Sequence, residues 1–338
     1  MNSATTPASQ VIERHLEEFT DSKVLFAGDL QDDFPAYLTA KAVKVHTTQF
    51  HYYQGLHKKL GENIRFGLLP VADLFNDTDT LIYYWPKSKA EAQFQLSALL
   101  NQLSKGSRVF IVGENRSGVR SVETMLADFG RIQKVDTARR CSLYHFEAES
   151  RLAFDLKEWW QTYQIDDVTI KSLPGVFSAQ HLDVGSELLL SALQEKPEII
   201  RGQILDLGCG AGVLASVIGT ARQDVTLTLT DVSAAALAAS EATLKANGLT
   251  GSIIASDVFS HVEGKFDLII SNPPFHDGRE TNYTAVESLI RDAKKHLTIN
   301  GKICLVANSF LPYPDLLDRA FGRHQVLVQT NKFKVYLA

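Results

Sequence analysis

Two stretches of this 338-residue chain hold side chains whose types and spacing suit chemistry. In "LDLGCGAGVL", Asp206, Gly208, Gly210 and Gly212 lie between a strand-like and a helix-like run. Glycines at such a turn let the backbone bend tightly and approach a ligand. No Lys-Ser/Thr pair follows, which excludes the phosphate loop. Val213 stands where the dinucleotide fingerprint needs its third glycine, which excludes that loop as well. Asp231 ends the next strand-like run, where a carboxylate can accept both ribose hydroxyls, and Asp257 follows the third, where it can accept an adenine amine. Each also has the alternative of a helix cap, Asp231 especially, because it lies just before a helix. Three acids at three successive strand ends fall where an open α/β sheet binds its ligand. With phosphate-binding features missing, the ligand class is a nucleoside without phosphates, and S-adenosylmethionine fits it. The second stretch, "DLIISNPPFHDG", sets Pro273 and Pro274 straight after an apolar run. Proline donates no backbone hydrogen bond and cannot continue a sheet interior, so the chain leaves the sheet rigidly at Asn272. Phe275 and His276 follow at once.

The elements that must hold these residues are legible from Arg201 onward. "QILDLG", "VTLTLTD", "SIIASD", "FDLIIS" and "GKICLVAN" read as strands. They alternate with helical runs at "VLASVIGTA", "SAAALAASEATLKANG", "AVESLIRDAKKHL" and "PDLLDRAFG", the second opening at a Ser cap and closing at Gly. This alternation predicts a doubly wound, mostly parallel α/β sheet. "QVLVQT" and "KFKVYL", joined by a turn at Thr330-Asn331, predict a hairpin that adds an antiparallel edge.

The N-terminal half reads as a worn copy of the C-terminal half. "DTLIYYWP" aligns with "DLIISNPP", with Asp79 over Asp267 and Pro86 over Pro274. "RVFIVGEN" aligns with "KICLVANS", Phe129-Gly130-Arg131 with Phe321-Gly322-Arg323, and Tyr144 with Tyr336. A period near 190 residues indicates duplication of a whole domain. The copies differ at the chemistry: "LFAGDLQDDFP" has no glycine triplet, and Tyr84 stands where Asn272 stands. The expected division is a scaffold domain at 1–150, a connector at 151–175 and a domain with the working site at 176–338.

Composition narrows the function class. Hydrophobic content of 45% and charged content of 22% are those of a soluble globular protein. No apolar run approaches the ~20 residues that cross a bilayer, and the N-terminus lacks the flanks of a signal peptide. Cys141, Cys209 and Cys304 are scattered, which argues against a metal cluster or a disulfide framework and for a reducing, cytoplasmic compartment. The net charge of −5 does not advertise a nucleic-acid binder, yet residues 105–140 hold eight Lys/Arg against four Asp/Glu. Residues 319–338 hold Arg319, Arg323, Lys332 and Lys334 with no acid. Such patches steer a polyanion or are simply solvated faces.

The order of motifs resembles the class I S-adenosylmethionine-dependent methyltransferases of the amino-group subtype. In that resemblance Asn272, Pro273, Pro274 and Phe275 form the catalytic motif. The Asn272 oxygen and the Pro273 carbonyl would accept the two N–H bonds of an exocyclic amine, and Phe275 would stack on the flat target. The prolines hold the acceptors in place beforehand. "LFAGDLQDD", "YYWPK", "VGENRSGVRS", "LPGVFS", "LDVGS", "SNPPFHDG" and "FLPYPD" extend the resemblance along nearly the whole chain. Together they look like the bacterial ribosomal RNA small subunit methyltransferase C family, which methylates guanine N2. The resemblance implies two tandem Rossmann-like methyltransferase domains, the first degenerate. It also implies 16S rRNA in an assembled small subunit as substrate, no metal, no membrane and a monomer.

In "PGVFSAQHLDVGSELLL", Phe177 and Ser178 would contact the methionine end of the cofactor, while the helix after Asp183 serves that closure or packing alone. His276 reads as a solvent-facing loop residue, with contact to RNA or a proton relay as the alternatives, and Cys209 as a small spacer. A sister family that methylates guanine N2 of 23S rRNA shares the layout and the Asn-Pro-Pro-Phe motif. A protein glutamine methyltransferase would use the same apparatus, but usually with tyrosine in place of Phe275. A non-enzymatic RNA-binding protein is opposed by the intact glycine loop and Asn272.

Overall fold

The computed structural model describes residues 5–273 and 281–338, the side chains of 281–285 excepted. Pro274, Phe275 and His276 therefore lie outside the described residues. The chain divides into two compact units, the first ending at Trp159 and the second running from Trp160 to Ala338.

In the first unit the strands are β1 (Lys23–Gly28), β2 (Ala42–Thr47), β3 (Ile64–Phe66), β4 (Thr80–Tyr84), β5 (Arg108–Glu114), β6 (Gly130–Ala138) and β7 (Cys141–Ala148). Its helices are α1 (Pro7–Ile12), α2 (Phe50–Leu60), α3 (Lys89–Gln102) and α4 (Val122–Met125). The second unit opens with a hairpin, β8 (Gln161–Ile165) and β9 (Val168–Ser172), followed by α5 (Val184–Gln194). The parallel core follows as β10 (Gln203–Leu207), α6 (Val213–Ala221), β11 (Thr226–Asp231), α7 (Ala234–Ala246), β12 (Gly251–Ala255) and β13 (Phe266–Ser271). It closes with α8 (Thr281–Ala293), β14 (Leu297–Asn308), α9 (Tyr313–Phe321), β15 (Gln325–Gln329) and β16 (Phe333–Leu337).

The two sheets have one topology. The first runs β3-β2-β1-β4-β5-β7-β6 and the second β12-β11-β10-β13-β14-β16-β15, so each strand has a counterpart nine further along. In each, the last two strands form an antiparallel hairpin set beside the last parallel strand. The duplication read from sequence persists at single residues. Asp79 accepts from Lys23 N at the start of β1, and Asp267 accepts from Gln203 N at the start of β10, 2.9 Å away. Tyr144 and Tyr336 are both buried on their antiparallel strands.

Side-chain alternation along the second sheet sorts the core into two layers. Ile204, Leu268, Ile270, Cys304 and Val306 face α5, α6 and α7. Leu205, Leu207, Ile269, Ile303 and Leu305 face α8 and α9. A sheet covered on both faces reads as continuous apolar runs, which is why "FDLII" and "ICLVA" were legible as strands. Helix bounds follow local chemistry as well. Ser233 caps α7 by accepting from Ala236 N, and Gly322 ends α9 in the left-handed conformation.

The stretch expected to be a connector, 151–175, is divided between the units. Residues to Trp159 pack with the first, where Trp159 meets Phe94 edge-on at 5.4 Å. The β8–β9 hairpin belongs to the second, tied to α7 by Thr169 N donating to Asn247 Oδ1 and Lys171 N donating to Thr243 Oγ1.

Candidate active site

The carboxyl edge of the second sheet holds a cavity of about 360 Å³ at the ends of β10, β11, β12 and β13. That volume lies within the roughly 300–1,000 Å³ of small-molecule sites. Of the residues expected at the site, Phe177, Gly208, Gly210, Asp231, Asp257, Asn272 and Pro273 line it. Asp206, Gly212 and Ser178 stand behind its wall.

The glycine loop is shaped by left-handed backbone at Gly208, Gly210 and Gly212, with φ of 74°, 54° and 73°. A side chain on Gly208 would point into open space, so that position leaves room for a ligand. Gly212 caps α6, and a side chain there would come within 3.0 Å of Ser240 Oγ, so its small size serves helix packing. Asp206 Oδ2 accepts from Ala215 N at the start of α6, while its Oδ1 is buried without a partner. Burial pushes this carboxyl up to about 7, against the Ala215 hydrogen bond that lowers it, and nearby Asp231 raises it further.

Asp231 does not cap α7. It ties the end of β11 to the glycine loop, accepting from Gly210 N at 3.0 Å and Ser233 N at 2.9 Å. Burial raises its carboxyl and these backbone donors oppose the shift. Each oxygen keeps a lone pair for a ligand. Asp257 is exposed, and its carboxylate makes no hydrogen bond with the described residues. Beside it Val258 adopts φ of 50°, a rare conformation for a β-branched residue and one that clusters at ligand sites. Sequence reasoning missed Val258, along with Val232, Val286 and Leu289, which supply apolar wall. Nothing in their type or spacing separates them from core residues.

Phe177 is 51% exposed over the cavity, with its carbonyl beside Gly210. Ser178 instead donates from Oγ to Asp183 Oδ2, and its carbonyl accepts from Tyr163 OH at 2.8 Å. Cys209 is buried, and burial with the nearby Asp231 and Asp206 pushes its thiol well up, so no thiolate nucleophile is at hand.

Asn272, straight after β13, is almost fully buried. Its Nδ2 donates to Asp183 Oδ1 at 3.1 Å and Ser186 Oγ at 3.0 Å, while its Oδ1 is buried with no partner among the described residues. A buried carbonyl oxygen without a donor costs about 1–3 kcal/mol, and a ligand N–H offsets that cost. Among the described cavity-lining residues there are two carboxylates and no Lys or Arg. Such a wall repels phosphates and suits a cationic nucleoside. Among the described residues no cluster of His, Cys, Asp and Glu is placed to hold a metal ion, and no helix is long and apolar enough to cross a membrane.

The first unit lacks this cavity's key feature at the corresponding edge. After β1 the chain crosses the end of β4, where Asp29 N donates to Tyr84 O at 2.8 Å, and a side chain at Gly28 would collide with that carbonyl. Leu30, Phe34 and Leu38 then bury themselves in the core below. Tyr84, at the position of Asn272, lies 2.8 Å from Ser9 Oγ.

Comparison with known proteins agrees with this geometry. The family described as "Methyltransferase small domain" matches residues 167–337, and "Methyltransferase small domain N-terminal" matches 9–163. Ribosomal RNA small subunit methyltransferase C of Cronobacter sakazakii is 56% identical over 336 residues, covering 99% of this chain and 97% of that protein. Its namesake in Yersinia pseudotuberculosis serotype IB is 57% identical, covering 99% and 96%. Among solved structures, the T. thermophilus 16S rRNA N2 G1207 methyltransferase in complex with AdoMet and guanosine superposes with a TM-score of 0.83 at 26% identity. That match covers 100% of this chain and 92% of the other.

Proposed function

Because this chain belongs to the ribosomal RNA small subunit methyltransferase C family, built of the methyltransferase small domain and its N-terminal companion, we propose that it methylates the exocyclic N2 amine of one guanine in 16S rRNA. The methyl donor is S-adenosylmethionine, and the substrate is the assembled small subunit in the cytoplasm. The relative from T. thermophilus acts on G1207, and we take the corresponding guanine as the target here. Every described residue of the cavity wall comes from one unit of one chain, which supports action as a monomer.

The observation that carries this reading is the divided state of the Asn272 amide, with its nitrogen held and its oxygen buried without a donor. An exocyclic amine is a poor nucleophile because its lone pair is spread into the ring. In this reading Asn272 Oδ1 accepts one of its N–H bonds and the Pro273 carbonyl the other. The nitrogen is drawn toward a tetrahedral shape, and its lone pair is freed on the side facing the cavity. When bound, S-adenosylmethionine supplies an electrophilic methyl group on a sulfonium. Asp231 holds the ribose hydroxyls, Asp257 the adenine amine, Gly208 and Gly210 leave room for the chain, and Asp206 braces the loop from beneath. Phe177 covers the site from outside. Phe275, by family resemblance, stacks on the base, worth ~1–3 kcal/mol. No strong base is needed, because the methylated ammonium loses its proton readily to the flanking acceptors and solvent. The first unit serves as scaffold and contributes to RNA recognition.

Labelled methyl transfer to naked 16S rRNA, to small subunits and to 23S rRNA, followed by mapping of the modified base, tests the proposal. Label at N2 of one 16S guanine, greatest with small subunits, is expected. Label in 23S rRNA or in protein would refute it.

A further inference from the structure

Asn272 works as an acceptor only if its amide faces the right way, and nothing in the Asn-Pro-Pro motif itself decides that. An amide turned over would meet the substrate amine with N–H groups, donor against donor. We infer that Asp183 and Ser186 are positioning residues for methyl transfer, gripping the Asn272 nitrogen so that its oxygen is left for the substrate; this rests on the reading of Asn272 given above.

A carboxylate can only accept, so Asp183 Oδ1 at 3.1 Å requires the NH₂ group of Asn272 to face it. The opposite orientation would set two oxygens against each other. Ser186 Oγ at 3.0 Å takes the second N–H, which leaves Oδ1 alone unpartnered. The grip stands on a rigid element. Asp183 is the cap of α5, accepting from Gly185 N and Ser186 N at 2.9 and 3.2 Å, and Ser186 is buried in its first turn. Between them Gly185 allows the close approach: a side chain there would lie 3.1 Å from Asp183 Oδ1 and 3.2 Å from Asn272 Nδ2. The second Asp183 oxygen accepts from Ser178 beside Phe177, so one carboxylate fixes both the amide and the segment over the cavity.

The duplicated unit carries the same device with another residue at its focus. There Thr6 caps α1, and Ser9, in the first turn like Ser186, meets Tyr84 Oη at 2.8 Å and donates to Asp32 Oδ1. A capped helix with a serine in its first turn, set against the end of the fourth strand, is therefore common to both copies. Asparagine at the strand end is particular to the second.

A double-mutant cycle on the full chain tests this, with small subunits as substrate and single-turnover rates at saturating cofactor. Asp183→Ala is expected to slow methyl transfer by roughly 10², the scale for misplacing a reacting group, with the KM for subunits little changed. Asp183→Asn keeps the cap and an acceptor for Asn272 Nδ2, and should restore the rate to within about threefold of wild type. Ser186→Ala, which leaves the cap intact, should cost roughly 3–10-fold, the scale of one hydrogen bond. In an Asn272→Ala background neither alanine substitution should slow the reaction further. Equal losses in both backgrounds would overturn the inference while leaving Asn272 catalytic, as would an Asp183→Asn rate as low as that of Asp183→Ala. An Asn272→Ala rate equal to wild type would overturn the reading of Asn272 itself. Should Asp183→Ala fail to fold, the Ser186→Ala arm decides alone.

Discussion

Asn272 is held by its nitrogen, which makes its nearest isostere a severe change. Asn272→Asp puts a carboxylate oxygen against Asp183 Oδ1, where a donor now sits at 3.1 Å. Two carboxylates that close disfavour each other's ionisation. The variant should melt earlier and lose at least roughly 10² in rate, the scale for removing one preorganised group. Thermal melts and single-turnover assays check this, and a variant with wild-type stability and rate contradicts the assigned contacts. Asp206 offers a second residue-scale test. Its folded-state pKa is raised to about 7 from 3.8, so its contribution to stability is complete below pH ~4 and is lost as pH rises through 7. Asp206→Asn, which cannot ionise, should therefore flatten part of the decline in melting temperature of the cofactor-free protein between pH 5 and 8. An unchanged slope would mean that the carboxyl ionises freely in the fold.

At the scale of elements, much of the second unit was legible because local chemistry and tertiary demand agree. "VLASVIGTA" is α6 residue for residue, and Ser233 is the cap that its position announced. The β8–β9 hairpin was missed because its turn is Asp166-Asp167 rather than an Asn-Gly signal, with Asp166 carrying the left-handed φ of 47°. The role of α5 stayed ambiguous because Asp183 and Asn272 are 89 residues apart and no periodicity links a helix cap to a strand end. Likewise, the sequence set Asp206 and Gly212 at the turn between β10 and α6, but that both stand behind the cavity wall depends on the backbone path. Gly185 tests the helix placement directly. Gly185→Ala should tilt the first turn of α5 away from Asn272 and slow methyl transfer by about tenfold or more, while the cofactor, whose proposed contacts lie elsewhere, binds nearly as before. Calorimetry beside single-turnover kinetics checks the split, and a wild-type rate would show that the close approach is dispensable.

For the whole molecule, the same topology occurs twice, and the described lining of the candidate cavity comes from the second copy. The first unit closes its carboxyl edge by crossing β1 onto β4, whereas the second keeps Gly208 open. Calorimetry on the full chain should therefore give one S-adenosylmethionine per chain, and Asp231→Ala should weaken that single event; a second event surviving Asp231→Ala would place a site in the first unit. In the proposed mechanism Asn272, rather than the cofactor pocket alone, makes this fold a guanine-N2 methyltransferase. The mechanism's most direct test is the single-turnover rate of Asn272→Ala on small subunits with cofactor saturating, beside its calorimetric affinity for cofactor. The rate should fall by roughly 10²–10³ with affinity nearly unchanged. Methylation of the same guanine at the wild-type rate would contradict the account.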